Sequence, residues 1–91
     1  MWELVDPDGR YVVLSRARWA HIVEEHDELS VEPGVVLATV SHPDRRTRGH
    51  EIGEEWFYRR GAGPSRWLQV VVHSERDRGR IVTAFPRRAF P

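Results

Sequence analysis

Five histidines, fourteen arginines and a few hydroxyls are the side chains of this 91-residue chain that could do chemistry at neutral pH. Their spacing limits what that chemistry can be. His21 and His26 lie five positions apart, so on one helix they project about 140° from each other and cannot chelate one metal. The run His21-Ile22-Val23-Glu24-Glu25-His26 also departs from the zinc-protease pattern HExxH, which needs its imidazoles at i and i+4. His42 precedes Pro43 in a turn, and His50 sits in a polar segment with no constellation around it. The absence of cysteine excludes disulfides and thiolate metal sites. No glycine-rich phosphate loop, serine nucleophile elbow or spaced carboxylate pair occurs, so the expectation is neither metal nor cofactor. What remains is a set of His, Arg, Tyr and Thr. Cleavage of RNA by its own 2′-OH needs little more: a base for the 2′ proton, an acid for the leaving 5′ oxygen, and cations for the charge on phosphorus.

Charge is unevenly spread. Residues 1–41 hold three Arg and eight Asp/Glu, a balance of −5, whereas residues 42–91 hold eleven Arg and six Asp/Glu, a balance of +5. Such asymmetry hints at a polyanion-facing surface on the C-terminal half. Every basic residue is arginine. Guanidinium is a bidentate phosphate donor, although exclusive arginine usage equally marks a GC-rich genome or a thermophilic habit. No apolar run approaches the roughly 20 residues that span a bilayer, and Met1-Trp2-Glu3-Leu4 lacks a signal-peptide pattern, so a cytoplasmic location is expected. The length suits one domain, residues 1–91.

The elements that must position these groups are legible in outline. Trp2–Val5 and Tyr11–Leu14 read as a hairpin around Asp6-Pro7-Asp8-Gly9, whose Pro and Gly suit a type I turn. Ser15 is an N-cap for a helix over 16–28, with Trp19, Ile22, Val23 and His26 as its inward stripe. On that stripe His26 reads as a core or helix-end histidine, while His21 points outward with Glu25 and Glu28. A second helix spans 33–41, with Pro33 in its first turn and Val36, Leu37 and Val40 as its apolar face. Arg45–Glu51 reads as a polar edge strand, followed by strands over 54–60, 66–74 and 80–86. The predicted class is α+β: an N-terminal β-hairpin and two helices on one face of a four-stranded antiparallel sheet.

Alternation then sorts the sheet. Leu68, Val70 and Val72 face the helices, and with them Phe57, Val82 and Ala84. The opposite face carries Trp56, Tyr58, Arg60, Trp67, Gln69, Val71, His73, Ile81, Thr83 and Phe85. That mixture can stack bases and hold phosphates. It is also what a merely exposed sheet face or a homodimer interface would present.

The segment Arg18-Trp19-Ala20-His21-Ile22 followed by His26-Asp27-Glu28-Leu29 resembles an "RWxHIxxxHPEL" opening. Val36–Val40 with His42-Pro43-Asp44, then Phe57-Tyr58-Arg59, Leu68–Val72 and Ile81-Val82-Thr83-Ala84-Phe85, resemble the elements that follow it. Over residues 15–86 the chain resembles small phage and bacterial domains of the barnase–EndoU–colicin–RelE-like (BECR) nucleases. The resemblance implies a metal-independent, toxin-like endoribonuclease with RNA as substrate and a protein antitoxin or immunity partner. It implies a helix histidine (His26, or His21), Arg59 and Thr83 as catalytic groups; the face reading adds Tyr58 to them, with Arg60, His73, Gln69 and Trp67 binding substrate. Asp27 stands where the family pattern has Pro, and the face count sets Arg60, not Arg59, beside Tyr58 and Thr83. The rival expectation is a non-catalytic module that binds nucleic acid or protein through the aromatic–basic face.

Overall fold

The turn after Val5 closes as its residues dictate. Gly9 donates to the Asp6 carbonyl at 3.0 Å and takes a positive φ of 85°, while Asp6 Oδ1 accepts the backbone N–H groups of Asp8 and Arg10 at 2.9 Å each. In the computed structural model, which describes residues 1–90, this turn joins β1 (Trp2–Val5) to β2 (Tyr11–Leu14). Ser15 then caps α1 (Arg16–Glu25), its hydroxyl accepting the Arg18 N–H at 3.0 Å.

The first helix is shorter than the predicted 16–28. His26 leaves helical geometry, and a 3₁₀ turn, Asp27–Leu29, follows. Glu24, Glu25, Asp27 and Glu28 would crowd the negative end of a longer helix dipole. Breaking at His26 instead places Asp27 and Glu28 in a new first turn, where acids are favourable. The second helix, α2 (Pro33–Ser41), has its expected bounds. Four strands complete the chain: β3 (Arg45–Arg48), β4 (Glu54–Arg60), β5 (Trp67–Glu75) and β6 (Arg78–Arg87). The edge strand β3 therefore ends at Arg48 rather than Glu51.

The sheet corrects the predicted architecture. It has six strands in the order β1-β2-β6-β5-β4-β3, and it is mixed. The expected antiparallel meander β3-β4-β5-β6 is present, but the N-terminal hairpin joins it, β2 pairing parallel to β6 through Tyr11–Val13 and Arg78–Arg80. Strands so distant along the chain leave no turn signal between them, which is why alternation and turn chemistry missed this pairing. The hairpin turn also reaches across to the far edge strand. Arg46 of β3 bonds Asp8 at 2.9 Å and Glu55 at 2.8 Å, and its guanidinium lies 4.8 Å from the centre of the Phe57 ring. The hydrogen bond to Glu55 contributes most to raising the Arg46 pKa above its already high value, so this cation persists at every pH at which the fold survives.

The core lies between the helices and one sheet face: Val12, Leu14, Ile22, Leu29, Val36, Val40, Phe57, Leu68, Val70, Val72, Ile81 and Ala84. Two expectations change here. Val23 is 44% exposed, because α1 packs on β6 and the 3₁₀ turn rather than over the sheet's centre and buries a single line of residues. Val82 and Ile81 exchange roles. Val71 pairs with Thr83 but Val72 pairs with Ile81, so Val82 is the extra residue of a β-bulge. Ile81 turns into the core and Val82 is left partly exposed. Trp19 and Leu37 pack against the core half-buried.

Leu68→Ala should cost about 2–4 kcal/mol of stability as a core truncation. Val23→Ser should stay within about 0.5 kcal/mol, as surface changes do. Chemical denaturation of both variants checks the assignment, and equal losses would overturn it.

Candidate functional site

Strand register sets four rows of side chains on the sheet face turned away from the helices. The first is Arg60, Trp67 and Arg87; the second Arg45, Tyr58, Gln69 and Phe85; the third Thr47, Trp56, Val71 and Thr83; the fourth Glu54, His73 and Arg80. Aromatic rings fill its middle. Tyr58 meets Trp67 edge-on at 6.4 Å, Arg60 lies 5.8 Å over the Trp67 ring, and His50 meets Trp56 at 4.8 Å.

The electrostatics of this face are one-sided. Arg45, Arg60, Arg80 and Arg87 form no ion pair among the described residues. Arg87 does donate to Gln69 Oε1 at 3.0 Å, fixing the buried amide. The one carboxylate of the four rows, Glu54, is already engaged: its Oε1 accepts from Trp56 Nε1 at 3.0 Å and from the His50 backbone at 2.9 Å. Its side chain lies against Gly49, where a Cβ would collide with it. Beyond this end of the face is a cleft of about 660 Å³ with Arg10, Arg48 and Arg76 on its walls, but Glu51, Glu54 and Glu55 line it too and balance their charge.

A second feature sets the face apart. Thr47 Oγ1, Tyr58 Oη, His73 Nδ1 and Thr83 Oγ1 are buried and have no hydrogen-bond partner among the described residues. All four belong to the outward rows. Buried polar groups are normally satisfied, so four orphans on one face are unusual.

The structure brings together most of the residues singled out in the sequence. Tyr58, Arg60, Trp67, Gln69, His73 and Thr83 share this face. His26 reaches its rim. The β2–β6 pairing stops at Val13 and Arg80, leaving the rest of β6 as an edge, and there the His26 ring lies 5.5 Å from Phe85. Its Nδ1 is 3.5 Å from Glu28. His21 stands apart, exposed and 3.1 Å from Glu25. Arg59 is on the other side of the sheet, paired with the core residue Leu68, and donates to the Ala38 carbonyl of α2 at 3.4 Å. No three His, Asp or Glu side chains gather into a metal-ligand set among the described residues.

Sequence reasoning passed over Arg45, Arg80, Arg87 and Phe90. Arg87 follows Thr83 and Phe85 in step, so alternation carried one residue further would have found it. Arg80 reaches the face only through the bulge at Val82, and Arg45 only through the β3–β4 register. Phe90 lies beyond the last strand, where no periodicity applies. No family model, curated protein or solved structure matches this chain.

An orphaned buried hydroxyl lowers stability. Tyr58→Phe, which keeps the ring, should therefore leave stability unchanged or raise it by up to about 1–2 kcal/mol. A thermal melt checks this, and a clear loss would mean that the hydroxyl is satisfied in solution.

Proposed function

We propose that this domain binds single-stranded RNA on the outward face of β3–β6. The observation that carries the reading is the set of unpaired arginines, Arg45, Arg60, Arg80 and Arg87, spread around Trp56, Trp67 and Phe85. Guanidinium groups neutralise phosphates, and aromatic faces stack bases of any identity, each worth about 1–3 kcal/mol.

Metal-independent cleavage of the bound RNA is the second reading, favoured by His26 at the rim beside Phe85. In that reaction the His26 imidazole takes the 2′-OH proton and the 2′ oxygen attacks phosphorus. The P–O5′ bond breaks, water protonates the leaving 5′ oxygen while the imidazolium returns its proton to solvent, and a 2′,3′-cyclic phosphate and a 5′-OH result. Arg60 and Arg87 hold the phosphate and Thr83 positions it; Arg59 is too far round the sheet to help. This is the activity that resemblance to the BECR-like nucleases implies, and a protein antitoxin covering the same face belongs to it.

Fluorescence titration with octauridylate RNA tests the binding reading. Trp56→Ala should weaken binding by about 5- to 100-fold. Arg60→Ala or Arg87→Ala should weaken it and lower the slope of log K against log salt by about one unit. A salt-independent affinity, or none, would sink the proposal. Incubation of an RNA pool with the protein in EDTA tests cleavage. If cyclic-phosphate ends form, His26→Ala should slow their appearance by about 10²–10⁴-fold. Intact RNA would leave binding as the function.

A further inference from the structure

We propose that Phe90 occupies a nucleobase subsite on this face and must swing aside for a base to enter. The subsite rests on the RNA-binding reading and deepens it. Its walls are Tyr58, Trp67 and Arg45. Phe90 meets the Tyr58 ring edge-on at 4.8 Å and the Trp67 ring, tilted, at 5.6 Å, and the Arg45 guanidinium lies 5.6 Å from its centre. A ring set against two other aromatic rings and a guanidinium has surroundings that a nucleobase can also occupy.

Phe90 fits this place only in part. Tyr58 is wholly buried, with Phe90 packed against its ring, yet its hydroxyl has no hydrogen-bond partner among the described residues. A phenyl ring offers no acceptor for a phenolic O–H beyond its π cloud. A pyrimidine or purine could make the same ring contacts and carries carbonyl or ring-nitrogen acceptors at its edge. The buried, unsatisfied Tyr58 hydroxyl thus points to a heteroaromatic occupant.

Phe90 is also not held by the sheet. β6 ends at Arg87, so Phe90 is anchored by no strand ladder, and it remains 38% exposed. A side chain that occupies a site most of the time reduces apparent affinity by the fraction of molecules in which the site is open.

The test is a titration of octauridylate RNA, and of an abasic ribose-phosphate oligomer of equal length, against the full chain and its variants. Phe90→Ala should tighten octauridylate binding by roughly 3- to 10-fold, the reciprocal of the open fraction. Binding of the abasic oligomer should not change, because only a base competes with Phe90. Adding Tyr58→Phe should abolish most of the gain. Unaltered or weaker octauridylate binding by Phe90→Ala would overturn the proposal, as would an equal gain for the abasic oligomer. Trp56→Ala, in a different row, separates the two levels. If it weakens binding while Phe90→Ala does not strengthen it, the subsite is wrong and the face stands. If the unaltered chain and every variant fail to bind, the face itself is wrong. Melting curves of each variant exclude unfolding as the cause.

Discussion

One extra residue in the last strand decides which side chains meet. Val82 is inserted between Ile81 and Thr83, which pair with adjacent residues of β5, Val72 and Val71. Because the side-chain period of a strand is two, a single insertion reverses the phase of everything on one side of it. Before the bulge, Ile81 and Gly79 turn to the core and Arg80 turns outward. After it, Ala84 turns to the core, while Thr83, Phe85 and Arg87 face outward. Were Val82 paired in regular alternation instead of bulged, the apolar Ile81 would lie among the outward arginines and Arg80 would be driven toward the helices.

The bulge can be accommodated because β5 is an unusually well-anchored partner. Leu68, Gln69, Val70, Val71 and Val72 are all buried, so the strand is covered on both faces. Leu68, Val70 and Val72 pack under the helices, while Gln69 and Val71 lie beneath the aromatic rows. Around this strand the sheet joins elements from both ends of the chain. The Arg46 cluster with Asp8 and Glu55 then ties the N-terminal turn to the opposite edge. The acids of the N-terminal half and the arginines of the C-terminal half are thus partly used on each other, but not evenly.

That unevenness shapes the candidate site. Arg46 is paired with two carboxylates on the core side, and Arg59 is bonded to the end of α2. The arginines of the outward face have no carboxylate partner among the described residues, Arg87 donating only to the neutral Gln69 amide, and Glu54 is held by Trp56 and the His50 backbone. The face therefore keeps a positive excess even though the whole chain is neutral by formal charge. Its buried hydroxyls and imidazole, unpartnered among the described residues, add a polar requirement to the face.

Local signals in the sequence determined much of this protein. Turn chemistry placed the first hairpin and Ser15 the first cap. Alternation assigned Tyr58, Arg60, Trp67, Gln69, His73 and Thr83 to one face, and the structure keeps them there. The same rule set Arg60 rather than Arg59 beside Tyr58, as found. These features depend on neighbours one to four residues apart, and such interactions are written in the local order of residues. Three others were decided by tertiary structure alone. The parallel β2–β6 pair joins residues from opposite ends of the chain, and the bulge at Val82 exists because a core position had to receive Ile81. Phe90 folds back from beyond the last strand onto Tyr58 and Trp67. Each depends on where distant surfaces meet, and no spacing within one segment encodes that.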